Sequence, residues 1–494
     1  MGCLFKFFVG AGIGRKSLYK ALGENGTPEF GTVRKPVRAM GLSLSAVPLA
    51  AEQMPPPQSL PPNTNIALAI PPAMSVSLFS GPGGVAGLSC TLAHGACRYD
   101  PETMMFDALS AQAPDALLAL IQAFQQDPRA GKIDLGVGVY RDAQGNTPVM
   151  RAVKKAEAIL HETQESKKYL GPEGDLGFVT LLEPIIFGKA DPFGDRLCGI
   201  QTPGGTGALR LGADLIAAAK PGATIWVGTP TWPNHQPIFT AAGLTIKTYG
   251  YIDLESQRLE FDKMMDALKG AAKGDVVLLH GCCQNPTGID LSLDQWKDVT
   301  ALVVEKGLIP FIDLAYQGLG LGLDEDAAGT RMVLEAVDEA LVAYSCDKNF
   351  GVYRDRVGAL YVLSRDGATA VNAMSGMSML ARVSWSMPPD HGAAIVRIVL
   401  ERPELVAIWK EELLEMCARV NGNRASLASA HPSLAFIRDQ RGLFSTLSMA
   451  KEQAIALRTN HAVYMANSGR MNIAGMGTDD AEAIVAALKA EGCI

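Results

Sequence analysis

The sequence has no apolar run near the roughly 20 residues that a membrane-spanning helix needs, so it offers no such anchor. It has no Cys-x-x-Cys pair, and its nine cysteines are scattered and odd in number. That argues against a disulfide framework or a metal site, and for free thiols in a reducing compartment such as the cytoplasm. It has no excess of positive charge: 44 Lys and Arg face 51 Asp and Glu, a net charge of −7. Nothing global therefore points to nucleic acid as a partner. Charge is scarce altogether, 19% of residues, while 48% are apolar, the balance of a globular chain with a large buried core. At roughly 100–200 residues per domain, 494 residues imply two or three units.

The first hundred residues differ from the rest. They hold "QMPPPQSLPPNTN" and "SGPGGVAGLS", and eight Lys or Arg against four Asp or Glu. With no sustained period of two or 3.6, such a segment struggles to bury enough surface to offset its ordering entropy, and residues 1–104 are expected to be disordered. Three readings compete. "MGC" resembles a lipidation start but has Lys6 where Ser or Thr is wanted. A basic, acid-poor leader would suit organelle targeting. The favoured reading starts the working protein at Met104 or Met105, where "MFDALSAQAPDALLALIQAF" places Leu117, Leu118, Leu120, Ile121 and Phe124 at helical spacing.

Beyond residue 130 short apolar runs alternate with helical patterns. "TIWVGTP", "DVVLLHG", "LIPFID" and "ALVAYS" read as buried parallel strands; "GALRLGADLIAAAK" and "LDQWKDVTALVVEKG" read as helices between them. The fold class is α/β, with a mainly parallel central sheet flanked by helices. Ligands in such sheets collect at the carboxyl ends of the strands.

Those ends carry a set of residues that are ambiguous one by one. "TPGGTGALR", with Gly205 and Thr206, is either a plain glycine turn or a phosphate cradle at a helix N-terminus. Trp232 in "GTPTWPNH" is a core tryptophan or a plate for a flat ring. Asn285 in "QNPTG" closes a turn or donates to a ligand. Asp313 ends an apolar strand, with Tyr316 three residues on, and if buried must be paired. Lys348 follows "ALVAYSCD", and Arg356, Arg382 and Arg470 lie downstream. Together they suit pyridoxal phosphate, whose aldehyde needs a lysine, whose ring nitrogen needs a carboxylate and whose phosphate needs an arginine and helix-end amides.

"HGCCQNPTGIDLS", "DLAYQG", "SCDKNFGVYRDRVG", "QTPGGTGALR" and "SGRMNIAGM", in this order along the chain apart from the fourth, resemble the aspartate/aromatic amino-acid aminotransferase family, fold type I. The resemblance runs from about Met105 to the C-terminus; none was found for residues 1–104. It implies that Lys348 is the Schiff-base lysine and proton shuttle, and that Asp313 pairs with the ring nitrogen. It further implies that Tyr316 and Asn285 bond the ring's oxygen, and that Trp232 stacks on the ring. Gly205, Thr206, Ser345 and Arg356 would hold the phosphate with Tyr169 from a partner subunit. Arg470 would clamp the substrate α-carboxylate beside Gly138, and Arg382 would reach across a homodimer to a second carboxylate. The implied reaction moves an amino group between aspartate or aromatic L-amino acids and 2-oxoglutarate by a ping-pong route. A strict aspartate aminotransferase and another enzyme using the same cofactor, a decarboxylase or lyase, remain as alternatives. A regulator on this fold would need a DNA-binding unit that residues 1–100 do not supply.

Three positions depart from the family pattern. Gln284 stands where many relatives have histidine. Asp347 replaces a small or neutral residue and would raise the pKa of Lys348. Met387 replaces a polar residue and, as an apolar neighbour of the substrate, favours aromatic substrates. The resemblance also divides the chain into a large cofactor-binding domain, 150–415, and a small domain made of 105–149 with 416–494.

Overall fold

The computed structural model describes residues 74–80, 86–92, 105–111 and 116–494. Contacts group Met1–Gln112 as one compact unit and Ala113–Ile494 as another. In the first, Met74–Ser80 and Ala86–Leu92 pair antiparallel, Val76 opposite Cys90 and Leu78 opposite Leu88. "MSVSL" and "LSCTL" do alternate apolar with polar residues, a period of two too brief to stand out among proline and glycine. The rest of what was expected for residues 1–104 lies outside the described residues.

In the second unit, strands β1 (Leu197–Pro203), β2 (Thr224–Thr229), β3 (Thr245–Gly250), β4 (Val276–His280), β5 (Ile309–Leu314), β6 (Ala340–Ser345) and β7 (Val357–Leu363) form one sheet in the order β1-β7-β6-β5-β4-β2-β3. All neighbours are parallel except β7, which runs against both β6 and β1. The four strands expected from the sequence are β2, β4, β5 and β6.

Alternation explains why the middle strands read as continuous apolar runs. Phe311, Leu341 and Ala343 point into one core layer; Ile312, Val342 and Tyr344 point into the other. A strand covered on both faces can spare neither set. Helix α1 (Gly204–Ala219) lies on the first face, and Gly212 lets it come close: a Cβ there would sit 2.5 Å from the Phe311 ring. The edge strand β3, "TIKTYG", is the exposed exception, and its Lys247 discourages further pairing at that edge.

Two features place the site. The loop after β6 is pinned by helix α2 (Pro403–Ala430): Trp409 stacks on Phe350, centroids 4.4 Å apart, and donates its indole N–H to the Asn349 carbonyl at 2.7 Å. Asn349 in turn donates to the Tyr344 hydroxyl at 2.8 Å. At the other end of α2, Arg424 donates to the Phe444 carbonyl and the Ser445 hydroxyl, and Asn423 to the Ile473 carbonyl. These bonds brace the antiparallel pair Phe444–Thr446 and Arg470–Asn472. The Leu117–Phe124 pattern forms the helix Ala116–Gln126, with Leu120 buried and Leu118 exposed.

Candidate active site

The carboxyl ends of β5 and β6 open into a cavity of about 280 Å³. Gly138, Gly205, Thr206, Trp232, Asn285, Asp313, Tyr316, Ser345, Lys348, Arg356 and Arg470 all line it, together with Asp347, Tyr353 and Phe444. These residues come from eight separated stretches of chain, and the topology brings them to one place.

Lys348 Nζ lies 3.4 Å from the Ser345 hydroxyl, 4.0 Å from Asp347 Oδ2 and 5.3 Å from the centre of the Tyr316 ring. Burial disfavours its charged form and holds its pKa below the ordinary lysine value. The charges of Asp347 and Asp313 pull the other way and do not prevail. The expected upward push from Asp347 is present, but burial outweighs it, and the same carboxylate also pairs with Arg356, whose Nη1 donates to Oδ2 at 2.5 Å.

Asp313 is buried, which alone would raise its pKa. The hydrogen bond from His235 and the charges of His235, His280 and Lys348 outweigh burial and hold it below the usual carboxylate value. His235 is fully buried, with Nε2 3.1 Å from Asp313 Oδ2 and Nδ1 2.7 Å from the Thr231 hydroxyl. That hydroxyl lies 3.0 Å from His280 Nε2. With Asp313 ionised and acting as acceptor, Nε2 of His235 carries the proton of their hydrogen bond. The Thr231 hydroxyl, able both to donate and to accept, links the two imidazoles. Burial, and then the neighbouring His235, lower the pKa of His280 to about 4, so the end of this relay stays neutral at ordinary pH. Sequence reasoning passed over His235, Thr231 and His280, although all three stood in motifs already singled out. A histidine three residues after Trp232 was the available signal.

Asn285 Nδ2 donates to the Tyr316 hydroxyl at 3.3 Å, and burial raises the pKa of that phenol. Gln284 lies outside the cavity: its amide donates to the Pro230 carbonyl and accepts from the backbone and hydroxyl of Thr287, which shapes the turn holding Asn285. Arg470 packs over the Phe444 ring at 4.4 Å and donates to the Gly136 carbonyl at 3.2 Å; burial lowers its pKa. Gly138 has no room for a side chain, since a Cβ would meet Phe444 at 2.8 Å. Gly204, at φ +68, opens α1 in a conformation that suits glycine. A Cβ there would stand 2.6 Å from Arg356 Nη2 and 3.2 Å from Asp347 Oδ2.

Tyr169, Arg382 and Met387 do not line the cavity. Tyr169 is 91% exposed, and Arg382 is exposed with its guanidinium on the Ser386 hydroxyl at 2.6 Å. Met387 Sδ accepts from the Leu170 N–H at 3.1 Å, so within this chain it touches the segment beside Tyr169.

The family described as "Aminotransferase class I and II" matches residues 130–488. A tyrosine aminotransferase of Rhizobium meliloti is 54% identical over 77% of this chain and 98% of its own length. An aspartate aminotransferase of Escherichia coli is 43% identical over 78% of this chain and all of its own. A solved aromatic-amino-acid aminotransferase from Burkholderia pseudomallei, covalently bound to pyridoxal phosphate, superposes with a TM-score of 0.76 at 35% identity, covering 79% of this chain and 100% of that one. The chain belongs to the class I and II aminotransferases, enzymes that depend on pyridoxal phosphate. A second description, "Probable addiction module antidote protein", matches residues 4–48, which lie outside the described residues. That stretch, for which no resemblance was recognised above, thus has a likeness of its own.

The residues present fit the cofactor. The cradle at Gly204 and Gly205 leaves no space for a Cβ, and Arg356 stands beside it. Asn285 Oδ1 and Arg470 Nε are buried without a partner among the described residues, although both residues line the cavity. Buried polar atoms of that kind ask for a ligand.

Proposed function

We propose that this protein is an aminotransferase that moves the amino group between aspartate or aromatic L-amino acids and 2-oxoglutarate, with Lys348 as its covalent lysine and proton shuttle. The observation that carries the reading is the meeting, in one cavity, of a largely shielded lysine held below its ordinary pKa and an aspartate kept ionised by a buried histidine. The names of the relatives, which span tyrosine, aspartate and aromatic enzymes, support the substrate range.

Pyridoxal phosphate supplies, when bound, an aldehyde for amines and a ring that can take up an electron pair. The protein's residues do the rest. The Lys348 amine, its pKa lowered by burial, is suited to take a proton from the substrate α-carbon and return it elsewhere. Asp313, held ionised by His235, would keep a positive charge on the ring nitrogen. Tyr316 and Asn285 would bond the ring oxygen, and Trp232 would cover the ring. Gly205, Thr206, Ser345 and Arg356 would hold the phosphate. Arg470 presents its planar fork to the α-carboxylate, with Gly138 leaving space beside it.

Tyr169 and Arg382 serve the site of a second copy in a homodimer. Both are exposed, and Val371, Met379 and Val383 present exposed apolar side chains from the same helix as Arg382, Gly367–Ser384. Positions 371, 379 and 383 share one helix face, the pattern of a surface that expects cover. Residues 105–149 and 416–494 act as the smaller domain, closing on 150–415 when Arg470 grips substrate. Cys198, Cys282, Cys283, Cys346, Cys417 and Cys493 are free, which supports a reducing, cytoplasmic setting, and no described helix is long and apolar enough to cross a membrane.

The test is a half-reaction on purified protein. L-aspartate or L-phenylalanine is added without oxo acid while the cofactor's visible absorbance is followed. Conversion by both supports the dual range. Conversion by aspartate alone makes it a strict aspartate enzyme, and conversion by neither overturns the reading.

A further inference from the structure

The phosphate cradle contains a carboxylate. Asp347 is only 2% exposed, and both of its oxygens are engaged. Oδ2 accepts from Arg356 Nη1 at 2.5 Å, and Oδ1 accepts from the Val357 N–H at 3.1 Å. Its backbone N–H turns to the Ser345 hydroxyl at 3.3 Å, the same hydroxyl that faces Lys348. Gly204, at the start of α1, stands against both the guanidinium and this carboxylate. Arg356, the cationic donor expected to receive the phosphate, therefore also serves an anion of the chain itself.

We propose that Asp347 is a built-in counter-anion that competes with the cofactor's phosphate for Arg356 and so sets a weak, readily exchanged affinity for pyridoxal phosphate. The inference rests on the reading that this cradle holds the phosphate. Arg356 is left half-exposed by the fold, and an arginine aimed at a cavity needs a partner whenever no phosphate is there. Asp347 provides one. Once a phosphate arrives, two anions share one half-exposed guanidinium, and like charges a few ångströms apart repel. The hairpin turn from β6 to β7 fixes this geometry, because Cys346 N–H donates to the Val357 carbonyl and draws Asp347 back against Arg356.

Asp347 could act in the opposite sense, by aiming Arg356 so that its remaining N–H groups meet the phosphate. The two senses predict opposite signs. Dissociation constants are measured on cofactor-stripped protein for pyridoxal phosphate, for pyridoxal, which lacks the phosphate, and for inorganic phosphate. The variants are D347S and D347N; the second keeps the shape and the acceptor for Val357, should the first fail to fold. Both are checked by circular dichroism.

The expected result is that each folded variant binds pyridoxal phosphate and inorganic phosphate roughly tenfold or more tightly than the natural chain, while pyridoxal changes less than about twofold. Unchanged binding of the phosphate ligands overturns the proposal, and weaker binding overturns it and assigns Asp347 to aiming Arg356. A natural chain that binds pyridoxal as tightly as pyridoxal phosphate overturns the cradle reading itself, whatever the variants do.

Discussion

Two groups of site residues behave differently in this chain. Lys348, Asp313, Tyr316, Asn285 and Arg470 are drawn together inside one cavity and braced by buried neighbours. Tyr169, Arg382 and Met387 lie on the outside, the tyrosine 91% exposed. The first group is complete within one chain, and its geometry is fixed by strand ends and a long helix. On the proposed reading, Tyr169 and Arg382 of the second group serve the site of a second copy. On that reading the site is rigidly prepared in its chemistry while its reach to the far end of a substrate waits on assembly.

Breaking the inner group should cost most. Lys348→Ala removes amine and proton carrier together, and turnover should fall by several powers of ten with the cofactor still able to bind. Stopped-flow absorbance with aspartate measures this, and retained multiple turnover would sink the assignment. Arg470→Ala should lower kcat/KM by roughly a hundredfold or more for every amino acid, since each has an α-carboxylate, whereas Arg470→Lys should recover only part because it lacks the fork. Steady-state kinetics on aspartate and phenylalanine decide it, and a loss confined to aspartate would argue that the wrong arginine was chosen.

The outer group is sharpened by selectivity. Arg382→Ala should cost aspartate roughly a hundredfold and phenylalanine little. Mixing it with Lys348→Ala chains should restore up to about a quarter of the aspartate activity, because half of the mixed dimers' sites regain both residues. No recovery on mixing would place Arg382 in its own chain's site. His235→Asn acts through Asp313. It should lower kcat by roughly tenfold and move the acid limb of the kcat profile upward, because Asp313 loses the partner that holds its pKa down. An unmoved limb would reduce His235 to packing.

The smallest effect concerns stability. His280 titrates at about 4 in the fold against 6.5 unfolded, so the unfolded chain binds the extra proton between those values. Stability from this group is whole above pH 6.5 and is lost as pH falls toward 4. His280→Gln should flatten that loss by an amount on the order of a few kcal/mol. Urea midpoints at pH 4.5 and 7 provide the comparison, and equal slopes in both proteins would refute it.

The inner group was readable because parallel strands announce their carboxyl ends: "LIPFID" delivers Asp313 and "ALVAYSCDK" delivers Lys348. The sheet's edge strands, Leu197–Pro203 and Thr245–Gly250, were not assigned, since "LCGIQTP" and "TIKTYG" are too polar or broken to stand out. The antiparallel strand Val357–Leu363 depends on a hairpin that no local pattern shows. His235 escaped because its role runs through Thr231 and across to Asp313, 78 positions away. The upward push of Asp347 on Lys348 was readable from their adjacency, but sequence does not show that burial outweighs it or that Arg356 also binds the carboxylate.

Helix Pro403–Ala430 has a further consequence. Trp409 grips the lysine loop, and Asn423 and Arg424 grip the strands around Arg470. Fourteen helical residues, about 21 Å of stiff rod, thus join the amine-handling end of the site to its carboxylate-handling end. On the proposed reading the rod is a ruler. It accepts substrates whose amine and carboxylate share one carbon and leaves ω-amino acids, with the two groups several bonds apart, out of register.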